Sequence, residues 1–130
     1  MCNAVIKEQT VSEDQASKIA VLNDYFRMNF LIPSQRRVPG QIVCTSGISA
    51  LPMETQSRIW LDVIRFNAFT EDNDPHGEHD FGAFEVNGVA EKIFWKIDYY
   101  ADASCTFGSE DPSDITRCFR VLTIMLASDY

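Results

Sequence analysis

The stretch AFEVNGVAEKIFWKIDYY, residues 83–100, constrains the fold more than any other part of the chain. Asn87-Gly88 separates two runs that alternate apolar and polar residues, which is the local signal of a β-hairpin. A two-residue turn would set Val86 opposite Val89 and Phe84 opposite Glu91. A four-residue loop over 87–90 instead sets Glu85 opposite Lys92 and Phe84 opposite Ile93. The second register is preferred. It pairs unlike charges and gathers Phe84, Val86, Ile93, Trp95, Ile97 and Tyr99 on one face, ready to pack on helices. Lys92, Phe94, Lys96, Asp98 and Tyr100 then point to the other face.

The remaining elements follow from periodicity and breakers. Over residues 13–30, Ala16, Ile19, Ala20, Leu22, Phe26 and Phe30 recur at helical spacing, and Ser12 with Gln15 forms a capping box. IPSQRRVPGQ reads as a loop and QIVCTS as a short strand ending at Gly47. A second helix is expected from Pro52 to about residue 68, carried by Ile59, Trp60, Val63 and Ile64. The segment PSDITRCFRVLTIMLASDY has two readings. CFRVLTIML fits a buried strand, whereas Ile115, Phe119, Leu122 and Leu126 fit a helix capped by Asp111 or Ser113. The helix is preferred because the spacing of three to four persists and Pro112 suits a first turn. The expected fold class is α+β. It is a two-layer domain in the order α-β-α-β-β-α, with an antiparallel hairpin at about 82–100. Residues 1–130 read as one domain, with 1–11 as a flexible lead-in.

Fifteen aromatic residues among 130 supply the apolar area that a core needs, which argues against disorder. No apolar run approaches the ~20 residues that span a bilayer, and MCNAVIKEQTVSEDQ lacks the pattern of a secretory signal. A cytoplasmic location is therefore expected. Cys2, Cys44, Cys105 and Cys118 match no metal or redox spacing and read as free thiols.

The net charge of −8 is unevenly spread. Residues 1–69 hold seven Lys/Arg and six Asp/Glu, whereas residues 70–114 hold two Lys and twelve Asp/Glu. A region so acidic repels nucleic acid phosphates and attracts cations or basic protein surfaces. Its centre is TEDNDPHGEHDFG, residues 70–82, which contains both histidines. In an antiparallel hairpin, the start of the first strand lies beside the end of the second. The loop 70–80 is therefore expected to converge with the second acidic loop, ADASCTFGSEDPSD, residues 101–114.

Four chemistries compete for these loops. A calcium loop starting at Asp72 places Asp74 and Gly77 correctly, but it puts Ala83 where the closing carboxylate belongs, so that reading fails. A zinc or manganese site on His76, His79 and Asp80 has suitable ligand types without a helical frame. A metal-dependent hydrolase or nuclease would use His79 as base, with Asp80, Asp98 and Glu110 as metal ligands. No arginine lies in 70–82 or 101–114 to stabilise its transition state. Cys105 beside His76 or His79 is a weaker candidate than a simple buried thiol. In the third reading, Glu71, Asp72, Asp74, Glu78, Glu110, Asp111 and Asp114 present charge to a basic protein surface. Phe94 and Tyr100 on the outer sheet face would then serve as apolar anchors. In the fourth, Asp72, Asp74 and Asp80 cap turns and His79 packs under the hairpin.

FTEDNDPHGEHDFGAFEV, FWKIDYY, GSEDPSD and RVLTIMLASDY resemble the signature blocks of a small bacterial domain family of unknown function. That resemblance runs from the first helix onward. It implies a gene carried on plasmids and other mobile elements, with no assigned reaction, cofactor or catalytic residue. Accessory genes of that kind include anti-restriction and anti-CRISPR inhibitors. The expectation is a non-enzymatic, acidic protein-binding module that needs no cofactor and occupies the basic surface of a nucleic-acid-handling complex. The hydrolase is the alternative.

Overall fold

The computed structural model describes residues 2–130, with side chains from residue 14 onward. The expected flexible lead-in over 1–11, and Cys2 and Ser12, lie outside the residues whose side chains are described. Helix α1 (Cys2–Asn29) begins earlier than residue 13 and stops one residue short of 30. It gives way to a turn in which Ile32 N–H donates to Asn29 O at 3.1 Å, and Pro33 then opens a short 3-10 turn, Pro33–Gln35. Strand β1 (Gly40–Cys44) and a single helical turn, α2 (Ser46–Ser49), follow. Helix α3 (Met53–Arg65) starts after Pro52 as expected and ends before residue 68. Glu54 in its first turn and Arg65 in its last complement the helix dipole.

Strands β2 (Phe81–Phe84) and β3 (Ile93–Tyr100) form the hairpin. Phe84 pairs with Ile93 and Gly82 with Trp95, which is the register set by opposing unlike charges at 85 and 92. The Asn87-Gly88 turn is present: Val89 N–H donates to Val86 O at 3.2 Å, with Gly88 at φ 91°. That left-handed backbone favours glycine.

Residues 119–126 form strand β4 (Phe119–Leu126), not the expected helix, and a short 3-10 turn, Ala127–Asp129, follows it. Strand β4 sits between β1 and β3 in a four-stranded sheet of order β1-β4-β3-β2. Its pairing with β1 is parallel and that with β3 antiparallel. A central strand is buried on both faces and reads as a continuous apolar run, so the alternation that would betray it is absent. Arg120, Leu122 and Ile124 are buried on one side, and Val121 and Met125 on the other. The observed order is therefore α-β-α-α-β-β-β, still α+β and still two layers.

The helices supply Phe26, Ile48, Ile59 and Val63 to one cluster with Ile93, Trp95, Ile97, Leu122 and Ile124 of the sheet. Trp95 is wholly buried, and its ring lies so close to Gly82 that a Cβ there would overlap it. The opposite face presents Phe94, Lys96, Asp98 and Tyr100, as read from the hairpin, and Phe81 joins them opposite Lys96. No described helix is long and apolar enough to cross a membrane.

Candidate functional site

After α3 the chain drops Phe66 and Phe69 edge-on against Trp95, at 5.6 and 6.1 Å between ring centres. A turn then forms in which Thr70 N–H donates to Asn73 Oδ1 at 2.9 Å and Asp74 N–H to Thr70 O at 2.8 Å. This leaves Asp74 8% exposed. Its carboxylate accepts the backbone N–H of Glu78 at 3.1 Å and of His79 at 3.2 Å, with Pro75, His76 and Gly77 looped over it. The loop needs left-handed backbone at Gly77 (φ 68°) and at His79 (φ 56°). Asp74 is thus the internal cap of the acidic loop.

His79 lies flat on Phe69, with ring centres 4.0 Å apart. Its Nδ1 is 2.9 Å from Asp24 Oδ2 on α1, and its Nε2 is 3.8 Å from Asp74 Oδ2. Asp24 also accepts from Arg27 at 3.1 Å. Arg27 is 1% exposed and donates to Val63 O at 2.6 Å and Ile64 O at 3.0 Å, closing the C-terminal turn of α3.

Deeper still, fully buried Asn23 joins three segments. Its amide donates to Glu78 O at 2.9 Å and to Tyr99 Oη at 2.8 Å, and its Oδ1 accepts from Arg120 Nε at 2.6 Å. Tyr99 donates onward to Glu78 Oε1 at 2.8 Å. Arg120, also fully buried, donates to Pro112 O at 2.6 Å and lies over the Tyr99 ring, while its second terminal nitrogen has no protein partner. Burial pulls both guanidiniums down from the usual arginine range, and for Arg27 the Asp24 carboxylate offsets part of that. Burial pushes the Tyr99 phenol far up, so it remains a donor. Burial, and then Glu78, hold Asp80 above the usual carboxylate range.

The second loop attaches to the same strand end. Ser109 N–H donates to Tyr99 O at 3.1 Å, and Gly108 bridges Tyr100. The two acidic loops therefore meet at Tyr99, which holds Glu78 by its hydroxyl and Ser109 by its carbonyl. Arg117 lies 3.4 Å from Glu110 and 3.9 Å from Asp111. Hydrogen bonds from Ser104 and Thr116 hold Asp102 and Asp114 below the usual carboxylate range.

The sequence-derived candidates are distributed as follows. Glu71, Asp72 and Glu110 are exposed, Glu78, Asp111 and Asp114 half-buried, and Asp74 buried. Phe94 and Tyr100 lie on the outer face with Asp98, which is 3.1 Å from Lys96. His79 faces α1, so the strand alternation places Asp98 on the opposite side of the sheet from it. His76 is exposed, and Cys105 Sγ is 3.7 Å from Ala103 O within its own turn. Among the described residues, no group of three or more His, Cys, Asp or Glu side chains is gathered as a metal site. Sequence reasoning missed Asn23, Asp24, Arg27 and Arg120. The signal was present: Asn23 and Arg27 fall on the same helical stripe as Ile19, Ala20, Phe26 and Phe30. Polar residues at core positions mark a buried network.

A family model described as a protein of unknown function, DUF3768, matches residues 44–129. The match begins at the end of β1, so α1 with Asn23, Asp24 and Arg27 lies outside it, a narrower span than the resemblance suggested. No curated protein and no solved structure matches the chain.

Proposed function

The chain belongs to the DUF3768 family, and from that premise we propose that it is a non-enzymatic acidic module that binds a basic protein surface. One observation carries the reading. Two loops distant in sequence join at Tyr99 and turn carboxylates outward, while two of the chain's cations, Arg27 and Arg120, are buried behind them. Only one carboxylate, Asp74, is buried with them among the described residues, so the exterior is more acidic than the formal charge of −8. Glu71, Asp72 and Asp114 make no ion pair among the described residues. Like charges held this close repel unless a cation compensates, and a basic protein surface supplies one. A groove built for nucleic acid offers such a surface. The mobile-element context implied by the signature blocks then favours an inhibitor of a host defence complex, of the anti-CRISPR or anti-restriction type.

The test is affinity capture from host lysate with mass spectrometry. The expected result is a basic, nucleic-acid-handling protein held at low salt and released near 1 M, where screening acts within ~3 Å. Combined Glu71→Gln, Asp72→Asn, Glu110→Gln and Asp114→Asn should abolish capture. Capture that survives both treatments would refute the proposal.

The alternative, a metal-dependent hydrolase with His79 as base, is favoured by one feature: His79 is oriented by Asp24 on a left-handed backbone, a conformation that costs energy and clusters at working sites. Metal content of the native protein and a thermal shift on adding zinc or manganese decide it. Absence of bound metal, together with no thermal shift on adding either ion, would eliminate the hydrolase.

A further inference from the structure

We propose that the outer face of the sheet receives an arginine side chain of the basic partner, in the depression between Tyr100 and Tyr130. This rests on the acidic-module reading above. The depression encloses about 410 Å³ and is floored by Val121, Thr123 and Met125 of β4. That volume lies in the lower part of the range of small-ligand sites, ~300–1,000 Å³.

Three features fit a guanidinium. Asp129 is held in place at the rim, where its Oδ2 accepts from Thr45 Oγ1 at 2.6 Å and from Leu126 N–H at 3.1 Å. Gly47 makes room for it, since a Cβ there would come within 2.7 Å of that oxygen. Tyr130 is held by edge contacts to Phe81 and Phe94, at 6.5 and 5.9 Å, yet is 78% exposed, so a ring face stays open. Asp98 adds a second carboxylate, partly offset by Lys96. The lining therefore combines net negative charge, aromatic faces and an apolar floor. A guanidinium pairs with a carboxylate through its planar fork and stacks on a ring face, whereas a compact ammonium does neither as well. An anionic ligand would meet Asp129 instead. Tyr100 links the depression to the acidic loops, because it also bridges Gly108.

The experiment titrates labelled protein with an oligoarginine peptide and with an oligolysine peptide of equal length, followed by calorimetry and amide NMR. Oligoarginine should shift the signals of residues 121–125 and bind about tenfold tighter than oligolysine. The surface pair Tyr130→Ser and Asp98→Asn should abolish that preference and those shifts. The loop-neutralised variant above should keep them. Shifts confined to residues 70–74 and 110–114, with affinity unchanged in the outer-face variant, would overturn this proposal and leave the acidic-loop reading standing. Binding of neither peptide would overturn both.

Discussion

Replacing Asn23 with alanine tests whether the buried polar network holds the fold together. The substitution removes three hydrogen bonds, to Glu78 O, to Tyr99 Oη and from Arg120 Nε, all at 2.6–2.9 Å. The two neutral bonds contribute ~1 kcal/mol each, and the bond from the buried guanidinium ~1.5–3. Arg120 already has one terminal nitrogen without a protein partner, so the loss of Asn23 leaves Pro112 O as its remaining hydrogen-bond acceptor. The expected cost is about 3–5 kcal/mol, against a total stability of ~5–15 for a domain of this kind. Urea unfolding followed by Trp fluorescence should show the midpoint falling by on the order of 2 M with an unchanged slope. The melting temperature should fall by about 10–20 °C. The double variant Asn23→Leu with Arg120→Met removes charge and acceptor together. It should be less destabilised than the sum of its parts by at least ~1 kcal/mol. A loss below ~1 kcal/mol for Asn23→Ala, or strict additivity in the double variant, would refute the network's role.

A carboxyl with a raised folded pKa favours the native state while protonated, and that contribution disappears as pH rises from the unfolded value through the folded one. Asp80→Asn should therefore melt above the parent at pH 7, with the gap closing on acidification below about 4, as followed by calorimetry. Gly82→Ala would set a methyl group 2.6 Å from Trp95 Cε2 and 2.9 Å from Phe66 Cε1. Both rings are packed, so it should cost about 2–3 kcal/mol in denaturant unfolding. Iodoacetamide at mildly alkaline pH should modify half-buried Cys105 well before buried Cys118, whose thiol burial pushes up, as read by site-resolved mass spectrometry. Equal rates would contradict the described burial.

The hairpin, its register and its two faces were legible in the sequence because each depends on neighbours a few residues apart. Asn87-Gly88, the charge pair at 85 and 92 and the alternation from Ile93 to Tyr99 carry that information locally. The convergence of the acidic loops followed from the hairpin alone. β4 was misread as a helix because a strand with neighbours on both sides loses its polar face, and the remaining spacing fits either period. The clasp of His79 was half legible. The histidine was singled out, but its partner Asp24 is 55 residues away on α1. Arg120 was hidden by its apolar surroundings, since nothing local separates a buried cation from a surface one.

The position of β4 also sets an order of events in synthesis. β1 and the β2–β3 hairpin do not pair with each other, and both pair only with β4. After β1 is made, residues 45–118 must be added before β4 begins. At ~5–20 residues per second that takes roughly 4–15 s. Through that interval β1 is an unjoined β edge, and once Tyr100 has been added the β2–β3 hairpin supplies a second, each a template for pairing with another chain. The sheet then closes in one late step, so its parts gain most of their protection together, and the chain depends on that step to escape aggregation.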